Sequence, residues 1–159
     1  MSQLQKFLFD GMPVRGVAVR LTDAWQEVVQ RRAANSHSGP YAPAVTGLLG
    51  EMTAAACLMQ ANIKFNGALI LQMQGDGPVK VAVAEVLPDL ALRATATVLG
   101  SIPEDATLST LVNQHGKGRC AITLDPRDRL PGEQPSPGTV PRSDVQAGPP
   151  ADLAQALQA

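Results

Sequence analysis

The longest apolar stretch of the chain covers residues 41–63, and only one ionised side chain, Glu51, interrupts it. The stretch shows no alternation and is too long for a strand, so it predicts a helix. A helix that is apolar on all sides is either buried in protein or inserted in a membrane. Pro43 and several small residues favour a central helix buried between sheets over a membrane span. A buried Glu51 would then need a partner, and Arg15 and Arg20 are the candidates.

The regions before and after this stretch predict strands and two shorter helices. Gly16 lies inside the second extended run and predicts a β-bulge there. The order of the elements predicts an α+β fold, in which sheet, helix and sheet layers surround the buried central helix. The predicted elements are an extended segment with a bend at residues 4–21, a helix at 24–32, a three-stranded β-meander at 66–99, a helix at 106–112 and a strand at 118–124.

Alternation within the meander separates its side chains into two faces. One face is apolar and is predicted to pack on the long helix, whereas the other is polar and carries little charge. The residues predicted to share the apolar face are Leu69, Leu71, Met73, Val79, Val81 and Val83.

The character of the sequence changes after residue 124. Residues 125–150 contain seven prolines and three glycines, which predicts a long surface loop or disorder. Residues 152–159 have the pattern of a helix that has just begun. We therefore divide the chain into a folded core at residues 1–135 and a Pro/Gly-rich loop with the start of a helix at 136–159.

Charge and cysteine content narrow the classes of function. The formal net charge is −1, from 13 basic and 14 acidic residues. The sequence shows no stripe of basic residues, which argues against nucleic-acid binding through phosphate contacts. The N-terminal sequence does not resemble a secretory signal, so the cytoplasm is the expected location. The two cysteines, Cys57 and Cys120, lack the close spacing of zinc ligands. We expect no metal site in this chain and interpret both thiols as small packed side chains.

The sequence contains none of the common catalytic motifs, so we do not expect an enzyme. One alternative is an anion- or nucleotide-binding turn at residues 75–80, where glycines precede Lys80. An Asp-Gly pair between two predicted strands is also a strong hairpin signal, and this interpretation is favoured.

Several motifs, in order, resemble the redox-regulated heat-shock holdases, often called the thirty-three-kilodalton chaperonin. The resemblance covers residues 4–135. After residue 135 this family usually continues with a Tyr-containing strand, whereas residues 136–150 here resemble an insertion. The matching segments are Phe7-Leu8-Phe9-Asp10, Val14-Arg15-Gly16, Leu48-Leu49-Gly50-Glu51-Met52-Thr53-Ala54-Ala55, Asn62-Ile63-Lys64-Phe65-Asn66-Gly67, Leu71-Gln72-Met73-Gln74-Gly75-Asp76-Gly77-Pro78-Val79, Leu92-Arg93-Ala94-Thr95-Ala96, Leu111-Val112-Asn113 and Ala121-Ile122-Thr123-Leu124-Asp125-Pro126.

The resemblance implies an ATP-independent chaperone that holds unfolding client proteins during oxidative and heat stress and works as a homodimer. It also implies a C-terminal zinc switch built from a Cys-x-Cys and a Cys-x-x-Cys pair. Cys57 and Cys120 match neither pair, so we expect client binding without a thiol switch. The alternative is an inert fragment. The residues predicted to contact clients are Leu69, Leu71, Met73, Val81 and Val83.

Overall fold

A computed structural model of the chain describes residues 1–128, 131–132 and 136–139. The strands form a two-stranded antiparallel sheet, β1–β2, and a five-stranded antiparallel sheet in the order β5-β4-β3-β6-β7. The fold is therefore mixed α+β, as predicted. The elements are β1 (Gln3–Leu8), β2 (Arg15–Arg20), α1 (Asp23–Ala33), α2 (Pro43–Asn62), β3 (Gly67–Gln74), β4 (Val79–Val86), β5 (Leu92–Val98), α3 (Leu108–Val112), β6 (Arg119–Pro126) and β7 (Ser136–Thr139).

Helix α2 lies at the centre of the core, and the prediction of a long helix is confirmed. It packs against β2 of the small sheet and against β3, β4 and β5 of the large sheet. Its length and composition alone would allow it to cross a membrane. In this fold, however, Val45, Leu49 and Met52 are each at most 1% exposed because the surrounding strands cover them. Burial of this apolar surface is the main favourable term in folding.

The prediction that Glu51 is buried was wrong. Pro43, Gly47 and Glu51 are exposed on α2, and their four-residue spacing places them along one side of the helix. The sheets leave this stripe uncovered, so the carboxylate of Glu51 is not desolvated. An exposed Glu51 does not need an ion pair with Arg15 or Arg20 to offset a cost of burial. Both arginines are themselves exposed on β2.

A β-bulge changes which residues of β4 face the core. The pairing with β5 skips Lys80, because Val79 pairs with Val98 and Val81 pairs with Thr97. The extra residue moves the following side chains to the opposite face of the sheet. The predicted alternation through Val79, Val81 and Val83 was therefore wrong. Val79 is buried, but beyond the bulge the buried residues are Ala82, Ala84 and Val86.

Residues 136–139 were predicted to be loop but form strand β7, which pairs antiparallel with β6. Proline and glycine are uncommon in strands but are tolerated at the edge of a sheet. The rest of the predicted loop after residue 139 and the helix start at residues 152–159 lie outside the described residues.

Candidate functional site

The five residues predicted to contact clients lie on two different faces of the large sheet. Leu69, Leu71 and Met73 point towards α2 and are 2%, 0% and 3% exposed. Val81 and Val83 are half-buried on the opposite face, beyond the bulge. The structure therefore brings Leu69, Leu71 and Met73 together in the core and separates them from the other two.

The outer face of the large sheet mixes apolar and uncharged polar side chains. Val83 is flanked by Gln72 of β3 and Thr95 of β5, which are its partners across the strands. Val81 is flanked in the same way by Gln74 and by a threonine of β5. A sheet face of this kind offers hydrogen-bonding groups and partly exposed methyl groups without a strong charge.

Among the described residues, the largest group of exposed apolar side chains lies on the hairpin formed by β1, β2 and the turn between them. We call Phe7, Leu8, Phe9, Met12 and Val14 the hairpin cluster; their exposed fractions run from 45% to 80%. The rings of Phe7 and Phe9 contact edge to face, with centroids 5.6 Å apart. Contiguous exposed apolar residues of this kind mark interaction surfaces more often than scattered ones.

Sequence reasoning identified the β1–β2 region as extended but did not identify the hairpin cluster as exposed. A signal was present, since Phe7, Leu8 and Phe9 are consecutive. Successive side chains of a strand point to opposite faces, so three large apolar neighbours cannot all enter one core.

Gly16 makes room for the Phe7 ring of the hairpin cluster and does not form a β-bulge. The β1–β2 register is continuous from Gln3–Arg20 to Leu8–Arg15, so the predicted bulge at Gly16 was wrong. Gly16 pairs with Phe7, and a Cβ atom at Gly16 would collide with the Phe7 ring. The glycine therefore provides the space that holds this ring across the hairpin.

The turn at residues 75–80 is a hairpin turn that packs on the following helix. It joins the antiparallel strands β3 and β4, and a Cβ at Gly77 would lie 2.5 Å from the carbonyl oxygen of Leu111. Carbonyl oxygens crowd this turn, and they repel anions. The anion-binding interpretation is therefore disfavoured by the geometry.

Asp76 ties this turn to the loop that leads into β6. Its Oδ2 atom accepts hydrogen bonds from the backbone N–H groups of His115, at 2.9 Å, and Lys117, at 3.0 Å. Burial alone would raise the pKa of Asp76, but the N–H donors of Lys117, His115 and Gln114, together with the nearby His115 side chain, lower it below its ordinary value. An internal carboxylate thus occupies the backbone donors that could otherwise bind an anion.

Both cysteines are buried thiols, as the sequence predicted. Cys57 of α2 is 1% exposed and Cys120 of β6 is 2% exposed, and neither forms a disulfide. Burial raises the pKa of each thiol to about 11. Since the thiolate is the nucleophile and the metal ligand, the raised pKa disfavours the reactive form of both side chains at neutral pH. Across the part of the chain that the structure describes, no group of three or more His, Cys, Asp or Glu residues could hold a metal ion.

Comparison with known proteins gives matches in sequence and in fold. A family model described as "Hsp33 protein" matches residues 2–148. The 33 kDa chaperonin of Chromobacterium violaceum is 48% identical over 125 residues, which are 79% of this chain and 39% of that protein. The 33 kDa chaperonin of Methylobacillus flagellatus is 40% identical over 153 residues, which are 96% of this chain and 46% of the relative.

The crystal structure of the 33 kDa chaperonin of Thermotoga maritima matches with a TM-score of 0.67, over 87% of this chain and 44% of that chain. The sequence identity is 19%, so this likeness bears on the fold alone. The chain spans roughly two fifths of the length of the curated relatives cited here, 39% and 46%.

Proposed function

The chain belongs to the Hsp33 protein family, and from that premise we propose that it is a molecular chaperone that holds unfolded polypeptides without using ATP. Relatives that are 40% and 48% identical to it over the aligned residues are named 33 kDa chaperonins. We place its action in the cytoplasm, under heat or oxidative stress. Its proposed partners are unfolded client proteins and a second copy in a homodimer; neither nucleic acid nor membrane is proposed.

The hairpin cluster is the observation that carries this proposal. Unfolding proteins expose apolar segments, and a holding chaperone captures them with apolar surface of its own. Leu8 and Met12 are 80% and 57% exposed, so they are available to a client without any rearrangement of the core. Val81 and Val83 on the outer sheet face add a second, less exposed surface, whereas Leu69, Leu71 and Met73 would become available only if α2 moved.

We further propose that client binding by this chain does not depend on its oxidation state. A zinc switch requires paired thiolates, and the two thiols present are buried and held protonated. Holding requires no covalent chemistry, so the absence of a catalytic motif from the sequence agrees with the proposed role.

Light scattering from a heat-unfolding client enzyme tests the proposal. The client is heated with and without the chain under reducing conditions, and near-stoichiometric amounts should suppress scattering. A Leu8→Ser/Met12→Ser variant should suppress it less. Leu99→Ser is the matched control, because Leu99 is 62% exposed but lies outside the hairpin cluster.

Two results would contradict the proposal. Equal suppression by the double variant would show that the hairpin cluster does not hold clients. No suppression by a sample that unfolds cooperatively would identify the chain as an inert fragment.

A further inference from the structure

Strand β5 forms an edge of the large sheet in the part that the structure describes. The backbone N–H of Ala96 donates to the Tyr41 hydroxyl oxygen at 2.9 Å, and that hydroxyl lies 3.2 Å from the Ala96 carbonyl oxygen, to which it donates. The backbone of Ala96 therefore faces away from β4. Because this direction alternates along a strand, the N–H and C=O groups of Ala94 and Leu92 also face the open edge.

Tyr41 occupies the edge at Ala96, but the edge at Ala94 and Leu92 opens into a cleft between β5 and α1. The cleft has a volume of about 500 Å³, and Ala24 and Val28 of α1 form its opposite wall. This volume falls in the range of small-molecule pockets, roughly 300–1,000 Å³. An edge strand with free backbone groups is a template for another extended chain.

Leu90 lies at the mouth of this cleft in an unfavourable backbone conformation. Its φ is 65°, in the left-handed region that non-glycine residues seldom adopt. Its side chain is nevertheless 38% exposed and lines the cleft. The conformation belongs to the turn that joins β4 to β5, in which the N–H of Leu90 donates to the carbonyl oxygen of Leu87 at 2.9 Å. The turn leaves the apolar side chain of Leu90 at the entrance of the cleft.

The charges around the cleft are predominantly positive. Arg31, Arg32 and Arg93 line it, and Glu27 is the one acidic residue among the described residues of its lining. Arg31 pairs with Glu27 at 2.6 Å and Arg93 pairs with Glu85 at 2.6 Å, yet both arginine side chains remain more than three quarters exposed. A guanidinium carries five N–H donors, so each of these ion pairs leaves donors for a further carboxylate.

We propose that this cleft binds an extended segment of unfolded polypeptide that contains an acidic residue. The segment adds to β5 as a short antiparallel or parallel strand. Its backbone pairs with Ala94 and Leu92, an apolar side chain contacts Leu90, and a carboxylate pairs with Arg31 or Arg93. The inference deepens the proposed holding function and rests on it for the identity of the bound polypeptide.

Fluorescence anisotropy with blocked synthetic peptides tests the proposal on the 159-residue chain. The probe is a labelled seven-residue peptide of alternating valine and glutamate. The first comparison peptide has lysine in place of glutamate, and the second has methyl groups on alternate backbone nitrogens. We expect the glutamate peptide to bind at least tenfold more tightly than the lysine peptide, and methylation to reduce its affinity at least tenfold. Equal affinity of the methylated peptide would exclude backbone pairing and overturn the proposal.

Two variants of the chain locate the binding site. Ala94→Pro removes an N–H that faces away from β4, so it blocks an added strand without removing a bond between β4 and β5. Leu90→Gly relieves the left-handed strain while removing the apolar side chain. Both should weaken peptide binding, Ala94→Pro at least tenfold. Leu99→Ala, outside the cleft, should leave it unchanged. If Ala94→Pro does not fold, the Leu90→Gly variant and the methylated peptide still show whether the peptide binds in the cleft through its backbone.

The remaining outcomes separate this inference from the proposed function. Scattering suppression that survives in a folded Ala94→Pro variant with lost peptide binding would leave the chaperone proposal in place but show that clients are not held at this edge. Peptide binding by a chain that suppresses no scattering would support the cleft and refute the holding function. A homodimer that Ala94→Pro converts to monomer would make a second copy the occupant, and would overturn the proposal.

Discussion

Truncation of Leu71 tests whether the inner face of the large sheet is core or binding surface. Leu71 is fully buried beneath α2, between Ala84 of β4 and Ile122 of β6. Replacement by alanine removes buried methyl groups and leaves a cavity, which costs roughly 2.7–5.0 kcal/mol of unfolding free energy in comparable cores. At roughly 2–4 °C per kcal/mol for a chain of about this size, a loss of about 3 kcal/mol lowers Tm by about 6–12 °C.

Val83→Ala is the matched comparison on the outer face. The change removes two carbon atoms, worth about 1.6 kcal/mol if fully buried at roughly 0.8 kcal/mol each, and Val83 is half-buried. We therefore expect a loss of about 0.8 kcal/mol. Leu71→Met preserves volume and should cost less than about 1.5 kcal/mol, which controls for substitution as such.

Chemical unfolding followed by circular dichroism and by the fluorescence of Trp25, the one tryptophan of the chain, measures these differences. Scattering suppression is then measured at a temperature at which every variant is folded. If Leu71→Ala loses less than about 1 kcal/mol while Val83→Ala loses more, the side-chain directions assigned from the bulge are wrong. If Leu71→Ala keeps its stability but loses client binding, the inner face is a binding surface after all.

Three further perturbations follow from the contacts described above. Cys57 and Cys120 should resist thiol reagents and peroxide in the native chain because burial raises each thiol pKa to about 11; labelling that proceeds as fast as in denaturant would contradict this. Because the pKa of Asp76 is lowered in the folded chain, its carboxylate contributes stability that is fully present above the ordinary pKa of 3.8 and is lost as pH falls through the lower folded value. Asp76→Asn should therefore flatten the acid side of a plot of Tm against pH. An unchanged acid side would exclude this role. Gly77→Ala should lower the free energy of unfolding by about 1–3 kcal/mol, because the added Cβ is crowded. Gly47→Ala should raise it by about 0.5–1 kcal/mol, because a Cβ at this exposed helix position meets no atom within 4 Å. Equal shifts of the urea midpoint in the two variants would refute the contrast.

Most secondary structure was predictable because periodicity distinguishes the elements. The run containing Val45, Leu49 and Met52 is too long and too uniformly apolar for anything but a buried helix, and α2 confirms it. The strands of the meander alternate clearly, and β4 was predicted at the residues that the structure assigns to it. The local pattern of apolar residues was therefore sufficient to predict helix or strand in segments where only one of the two fitted the pattern.

The facing of β4 was not predictable from pattern alone. Apolar residues occupy both alternating sets after Lys80, with Val81 and Val83 in one and Ala82 and Ala84 in the other. Either group of residues could face a core. The bulge that turns Ala82 and Ala84 towards the core depends on the pairing of β4 with β5. Glu51 was misplaced for a related reason: composition shows that α2 is apolar all round, but only the arrangement of the two sheets shows which side they leave uncovered.

The surfaces proposed for binding were the hardest to foresee. Exposure of Phe7 and Leu8 depends on how the hairpin sits on α2, and the cleft at Leu90 depends on the position of α1 beside β5. Both follow from contacts between distant parts of the chain rather than from neighbouring residues. Sequence reasoning consequently identified strand and helix in these regions without identifying the surfaces that they form.

The tie between Asp76 and the loop before β6 has a consequence for the order in which the chain folds. It joins Asp76 to backbone groups 39 and 41 positions further along the chain, and β6 pairs with β3 across 45 to 59 positions. Closing such a loop costs entropy before any contact repays it. The β3–β4–β5 hairpins can form from near neighbours, so we expect the tie to close after the rate-limiting barrier. Weakening it would chiefly accelerate unfolding while leaving the refolding rate nearly unchanged. On this expectation, the Asp76 carboxylate affects how long the native sheet persists more than how fast it forms.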